Sequence, residues 1–358
     1  MSTVATILTQ IQDLVGVLAS NTTVAARLLR WINNARRVMY MERDWDALRG
    51  YYQLNRIPPY TTGTISITQD TRVVMGVLTV FTAKMVGSYI NIGGSQTQWY
   101  RISKYNSATE IVIEADYIGD DASGVSYIIK QVFYRIPGAV RKLDDVAQFS
   151  SPNLIDEVGG QVFLGQYGSY HTSGGSPTKY NLAGIWDKKT TYTTGTVSGD
   201  AAGTVVTGVS TVWMDEALPG DLITIASQEY AIKSVDSDTQ ITLYAGLKAA
   251  AATAAYSLAT NPDSWVIRFD TQASVREIVP IEYYTHAFDL LNSTDSDFFI
   301  RRHPNVVVEG AVIWEKRAQE DTDWAVEYQK WVAGIKGAFG ETANDGVWSP
   351  RLAEPEYD

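Results

Sequence analysis

The sequence predicts an α+β protein, and three observations carry that prediction. Both ends show the three- and four-residue apolar spacing of helices. The middle alternates β-branched and aromatic residues with polar ones, the two-residue period of half-buried strands. One five-residue word, Tyr60-Thr61-Thr62-Gly63-Thr64, returns unchanged as Tyr192-Thr193-Thr194-Gly195-Thr196. Together these predict a helical bundle built from the N- and C-terminal helices on a central β region, with two small all-β barrels or sandwiches inserted as repeats.

The N-terminal part, 1–57, predicts two helices. Over 4–19, Ile7, Ile11, Leu14 and Leu18 share one face. Asn21-Thr22-Thr23 interrupts and offers capping oxygens to a second helix, from about Val24 to Tyr40 or beyond. Leu28, Ile32, Ala35 and Met39 line one side of it; Arg27, Arg30 and Arg37 lie mostly on the other. Gly50 is expected to end the helical region, and Ile57-Pro58-Pro59 gives a stiff entry to the first β module, 58–130.

Behind each copy of the word runs the same pattern. Val73-Val74, Gly76-Val77 and Thr79-Val80-Phe81 answer Val205-Val206, Gly208-Val209 and Thr211-Val212-Trp213. Ser107-Ala108-Thr109-Glu110-Ile111 answers Ser237-Asp238-Thr239-Gln240-Ile241, and the copies close on Tyr127 and Tyr256. The second module spans 191–258. Each copy is expected to hold five or six short strands, and a unit of about 70 residues has only a modest core of its own.

Between the modules, 131–190 predicts strands at 132–136 and 180–186 around a Gly/Ser/Tyr-rich loop from Gly159 to Lys179. After the second module, 259–340 predicts strands at 265–269 and 278–284 and then two helices. His303-Pro304 opens the first, with Val307, Ala311, Trp314 and Ala318 on one face. Asp321-Thr322-Asp323 caps the second, which carries Trp324, Tyr328, Trp331 and Ile335 and is expected to stop at Gly337 and Gly340. Residues 341–358 read as an extended acidic arm.

Composition narrows the function. The net charge of −11 speaks against a protein whose task is to grip nucleic acid. No cysteine is present, which rules out disulfides and thiol chemistry and suits assembly in a reducing cytoplasm. No apolar run reaches membrane-spanning length, and no secretory leader is expected. Residues 1–57 hold seven arginines against four acids, whereas 341–358 hold five acids against Arg351. Complementary ends suit contacts between subunits, and the candidate contact residues are Arg27, Arg30, Arg37, Trp324, Trp331, Trp348, Glu354 and Glu356. Catalytic signatures are missing. His171, His286 and His303 lack metal-ligand spacing, and there is neither a phosphate-binding glycine loop nor a nucleophile elbow. The acid pairs Asp120-Asp121, Asp144-Asp145, Asp236/Asp238 and Asp295/Asp297, and the run Glu320-Asp321/Asp323, sit where Asp is favoured for turns and helix starts, although such pairs also bind calcium or cleave glycosides. Trp99, Trp213 and Trp348 could stack on sugars, but core or interface is the simpler reading.

Two segments carry a family resemblance. Ile32-Asn33-Asn34-Ala35-Arg36-Arg37 with the later Trp45, and His303-Pro304-Asn305-Val306-Val307-Val308-Glu309-Gly310-Ala311 leading into the Trp/Tyr helix, resemble the adaptor (head-to-tail connector) proteins of tailed bacteriophages. The likeness covers about half of the chain, in pieces at 1–57, 131–190 and 259–340. The repeated modules resemble β domains of phage tail and virion proteins. The resemblance implies a non-enzymatic virion protein of the head–tail interface, assembled in the host cytoplasm. Such subunits form a ring, typically a dodecamer, below the portal protein. The ring completes the DNA-filled head, docks tail tube, nozzle or fibre proteins, and passes DNA through its channel without reading sequence. No cofactor, metal or membrane is implied. The alternative is a tail fibre or receptor-binding protein whose modules bind host glycans; a third reading is a glycan hydrolase using two of the acid pairs. A fibre would need a trimerising shaft or coiled-coil heptads, which the sequence lacks.

Overall fold

The computed structural model describes residues 2–16, 22–94, 98–147, 154–167, 174–186 and 191–345. The chain opens with α1 (Val4–Val15) and α2 (Thr22–Glu42), followed by β1 (Arg49–Arg56). Next come β2 (Thr64–Ile67), β3 (Val73–Val77), β4 (Tyr89–Ile92), β5 (Tyr100–Ser107), β6 (Glu110–Ile113), β7 (Ala122–Val125) and β8 (Tyr127–Lys130). The middle holds β9 (Tyr134–Arg135), β10 (Val140–Val146), β11 (Asp156–Glu157), α3 (Gly160–Tyr167) and β12 (Lys179–Ile185). Then follow β13 (Thr191–Tyr192), β14 (Thr196–Gly199), β15 (Val205–Val209), the single turn α4 (Trp213–Glu216), β16 (Leu222–Ile225), β17 (Gln228–Ser237), β18 (Gln240–Leu243), β19 (Ala251–Ala254) and β20 (Tyr256–Ala259). The last elements are β21 (Trp265–Phe269), β22 (Glu277–Thr285), α5 (Phe298–Arg302), α6 (Pro304–Ala318) and α7 (Trp324–Asp345). The protein is mixed α+β, with several mainly antiparallel sheets.

Two compact units divide the chain: a helical unit of 1–49, 191–259 and 284–358, and a sheet unit of 50–190 and 260–283. In the helical unit, α1, α2, α6 and α7 share one core. Ile7 and Ile11 of α1, Leu28, Ile32, Ala35 and Met39 of α2, and Val307 and Ala311 of α6 are all fully buried in it. Each such large aliphatic side chain contributes about 1.5–3 kcal/mol by leaving water. Gly310 lets α6 close on its neighbours, since a Cβ there would stand 2.3 Å from the Trp331 ring and 2.8 Å from Ala35 Cβ. Asp297 caps α5 by accepting from Ile300 N at 2.9 Å, and Pro304 occupies the first turn of α6, where its missing N–H leaves no bond unmade.

The two modules have the same strand order. The first runs β8-β4-β5-β6-β3-β2-β7. The second runs β20-β16-β17-β18-β15-β14-β19, with β13 added beside β20 where the first has only a bridge between Tyr60 and Ile129. Each has its own core, around Ile65, Phe81, Ile102 and Ile111 in one and Val197, Trp213, Ile232 and Ile241 in the other.

The repeated word earns its repetition through side chains and backbone together. The Tyr60 hydroxyl accepts Val80 N–H at 2.7 Å, and the Tyr192 hydroxyl accepts Val212 N–H at 3.1 Å. The closing tyrosines donate to the word's third residue, Tyr127 to Thr62 O at 2.6 Å and Tyr256 to Thr194 O at 2.7 Å. Gly63 and Gly195 hold φ of 82° and 89°, and a Cβ would approach Val77 O to 2.4 Å and Val209 O to 2.3 Å. Only glycine meets both demands.

The sheet unit contains the first module, a three-stranded sheet β1-β22-β10 and a four-stranded sheet β11-β12-β21-β9. Four expectations are corrected here and in the helical unit. Gly50 does not end the ordered chain; it lies in β1 against the Tyr283 ring. The Gly159–Lys179 stretch holds α3, anchored by fully buried Phe163 under the Arg268 guanidinium. Gly337 and Gly340 do not stop α7, which continues to Asp345. Strands also number seven and eight in the modules rather than five or six, because short β7, β13 and β19 complete the edges.

Candidate interaction surface

Of the candidate residues, Arg27, Arg30 and Arg37 lie on α2 and Trp324 and Trp331 on α7, all in the helical unit. Arg27 of α2 is held by Glu315 of α6, Nη2 to Oε1 at 2.6 Å and Nε to Oε2 at 3.0 Å. Trp31 Nε1 donates to the same carboxylate at 2.8 Å. Trp31 in turn stacks on Trp314, ring centres 6.0 Å apart, and the exposed Arg30 guanidinium lies 5.9 Å from the Trp31 ring. Arg317 stands between Trp314 and Trp324, at 5.0 and 4.8 Å. The result is a partly exposed band of guanidinium and indole groups. Arg37 is elsewhere, in an exposed pair with Asp289 at 2.6 Å. Trp331 is buried and donates to Val306 O at 2.9 Å, so its role is packing. Trp348, Glu354 and Glu356 lie outside the described residues.

Sequence reading missed Glu315, although a signal was there. It follows Val307 and Ala311 at four-residue steps, so it is an acid on the buried face of α6, and a buried charge needs a partner. Asp295 and Asp297 were read as turn acids and do more than that. Asp297 takes the buried Arg36 guanidinium at 2.7 Å and the Tyr40 hydroxyl at 3.2 Å. Burial first, and Asp297 second, push the Tyr40 phenol far above its ordinary range. Asn33 pairs with the backbone of Leu290 in both directions, at 3.0 and 3.1 Å. Asp295 accepts from Leu291 N and Asn292 N at 2.8 Å each and from Gly246 N of the second module at 2.9 Å. The backbone carbonyls of Ser293 and Asp295 accept from Ala5 N and Val4 N, satisfying the start of α1. One loop thus ties α1, α2 and the second module together.

An apolar groove of 470 Å³ opens between α1, α6 and α7, lined by Leu14, Val306, Val312, Ile313, Trp331 and Ile335, with Glu309, Glu327 and Lys330 beside them. Leu14 is 68% exposed at its edge.

The chemical alternatives find little support in the geometry. Trp213 is fully buried and donates to Tyr256 at 3.1 Å, so it offers no face to a sugar. Trp99 has the Lys130 ammonium 4.9 Å from its ring centre. The acid pairs serve local bonds: Asp121 accepts from Gln69 N, Asp236 from Ser234 and Thr242, and Asp321 from Asp323 N. Among the described residues, Asp144, Asp145 and Glu282 bring carboxylate oxygens within 4.8 Å of one another on β10 and β22. Asp144 and Glu282 have other partners, and nothing else at that place points to an ion. His303 lies half-buried between α5 and α6, its pKa lowered by burial and then by Arg302. His171 lies outside the described residues. No described helix is long and apolar enough to cross a membrane.

No protein-family model matches the chain, and no curated protein matches it either. Among solved structures, the endosialidase of phage phi92 aligns over 62% of this chain and 31% of its own, at 10% sequence identity and a TM-score of 0.19. The chain thus spans about a third of that structure's length, and a likeness this slight carries no weight for fold or activity.

Proposed function

We propose that the chain is a structural protein of a tailed-phage virion, and within the virion a subunit of the adaptor ring at the head–tail interface. One observation carries the reading. The two segments that resemble the adaptor family, 32–37 and 303–311, are far apart in sequence yet share one core: Ala35 meets the backbone of Gly310, and Arg36 and Asn33 hold the 288–297 loop that leads into α5 and α6. A family word that serves as a packing and latching device is what a common scaffold requires. In this reading copies of the chain form a ring, a dodecamer, below the portal protein. The ring docks tail tube, nozzle or fibre proteins, and DNA passes through its channel without sequence recognition. The guanidinium–indole band and the acidic segment 341–358, with Trp348, Glu354 and Glu356, face the portal or a neighbouring subunit. The protein needs no cofactor and performs no catalysis.

Cryo-electron microscopy of the virions that contain this chain is the test. Density for it in a ring between portal and tail is the expected result; density in distal fibres alone would overturn the proposal in favour of a receptor-binding role. Deleting 346–358 should weaken association with the ring or portal, and unchanged assembly would remove the arm from the reading.

A further inference from the structure

The two modules share an outer feature that their cores do not explain. On β3 and the turn behind it, Val73, Met75, Val77, Leu78 and Val80 all face solvent, Leu78 at 83% exposure. Of the matching residues of the second module, Val205, Val209 and Val212 are exposed as well, Thr207 and Ser210 stand where the first has Met75 and Leu78, and Met214 extends the line at 65%. β3 and β15 are inner strands, each bonded on both edges, so these ridges offer side chains rather than free backbone. An apolar ridge kept outside on both copies marks a contact surface.

The turn holding each ridge is built rigidly. Leu78 and Ser210 sit at φ of 58° and 59°, a left-handed conformation that leucine rarely adopts. The turn is fixed there by Thr79 Oγ1 on Ala108 O and Val80 N on Tyr60, and by Thr211 Oγ1 on Asp238 O and Val212 N on Tyr192. In the first module this strained turn carries a leucine in full solvent, which contributes nothing to its own core.

The borders of the ridges differ in charge. Residues directly opposite one another across strands share a face. In the first module one outer row therefore runs Val73, Val112, Lys104, with Lys104 exposed. In the second the row runs Val205, Thr242, Ser234, and there the Asp236 carboxylate accepts from both hydroxyls, at 2.7 and 2.8 Å. At the far end, Lys84 stands three residues after Phe81, and Glu216 three after Trp213. Asp238 accepts from Met214 N at 3.2 Å, where the first module has Ala108. Module 58–130 holds five basic and six acidic residues, and 191–258 holds two basic and seven acidic, so the first module is the less negative one; its outer face carries Glu110 opposite Met75, where the second has Gln240 opposite Thr207, beside Lys104 and Lys84.

We propose that the ridge of the first module binds the ridge of the second module on another copy of this chain. The ridges lie on matching strands, and the lysines at the first border favour the acidic border of the second over another copy of the same kind, since two second-module ridges would set acid against acid. The contact is heterologous: every copy offers one ridge of each kind, so association can propagate. The ridges use none of the residues of the helical band, and the inference does not rest on the adaptor reading.

Sedimentation velocity of the full chain over a concentration series, with Met75→Asp, Thr207→Asp and their mixture, tests it. Wild type should self-associate, and each variant alone should associate more weakly by about tenfold or more. The equimolar mixture should form a dimer, because the Thr207→Asp chain keeps an intact first ridge and the Met75→Asp chain an intact second one. Association of either variant alone as strong as that of the wild type would mean that unlike ridges do not carry the contact, which overturns the proposal. A monomeric wild type at every concentration, or a mixture that stays monomeric, overturns it too. If a strand substitution lowers the melting temperature, Leu78→Asp and Val212→Asp in the turns carry the same test.

Discussion

The two modules are a natural experiment in what a fold fixes and what it leaves free. Their frames agree bond for bond. Gly76 N reaches Thr109 O at 2.8 Å, and Gly208 N reaches Thr239 O at 2.9 Å. Asp70 N bonds Tyr117 O as Ala202 N bonds Leu247 O, and Ile118 N meets the Tyr100 hydroxyl as Lys248 N meets that of Tyr230. Yet the turn after β6 and the turn after β18 live differently. In the first, Asp116 forms an exposed pair with Arg72. In the second, the matching residue is Gly246, whose N–H enters the Asp295 carboxylate, and Tyr244 stacks on Phe288 with ring centres 4.3 Å apart. Backbone bonding sets the module; two side-chain positions set what it docks to.

Substitutions can break this comparison at several depths. Trp213→Ala and Phe81→Ala each empty a module core and should destabilise by about 4 kcal/mol. They should differ in what melts. Circular dichroism should show helix lost early in Trp213→Ala, because the second module belongs to the helical unit, and an unchanged helix transition in Phe81→Ala. Equal effects would mean that the modules are not distinct in their coupling to the helices. Next in size is Asp295→Ala, which strands buried N–H donors and should lower the stability of the helical unit by about 3 kcal/mol in urea unfolding. Asp116→Ala, at the matching turn, should leave the midpoint where it is. Tyr60→Phe and Tyr192→Phe each remove one hydroxyl acceptor and should cost about 1 kcal/mol apiece, nearly the same in both modules if the frames are equivalent.

The smallest effect concerns pH. Neither module contains a histidine. His303 of the helical unit has its pKa lowered below 6.5 by burial and by Arg302, so the folded chain binds fewer protons there than the unfolded one. Its contribution is therefore full above pH 6.5 and is lost as pH falls through and below that value. His303→Gln should flatten the pH dependence of the melting temperature in that range, with the first module's transition unaffected.

Much of this was legible in the sequence, for physical reasons. The face of α2 follows from spacing, because a helix must bury its apolar stripe; on α1 and α6 the first two positions, Ile7 and Ile11 and Val307 and Ala311, are buried, but Leu14 and Ala318 are exposed. The repeat was visible because glycine at positive φ and tyrosines that bond backbone leave little room for substitution. What stayed hidden was decided by partners distant in the chain. β1 reads as a break at Gly50 until Tyr283 is seen beside it. Asp295 looks like any turn acid until Gly246 arrives from fifty residues away. The band of Arg27, Trp31, Glu315 and Trp314 could be guessed only in part, since arginines on a polar helix face give no sign of which acid will meet them.

The 288–297 loop has a mechanical meaning. A pull on the second module passes through Asp295 into the first turn of α1, and Asp297 hands load to α2 through Arg36. Tension is thereby shared between two helices instead of peeling one. Such a joint would let the second module be tugged without unzipping either helix from the core it shares.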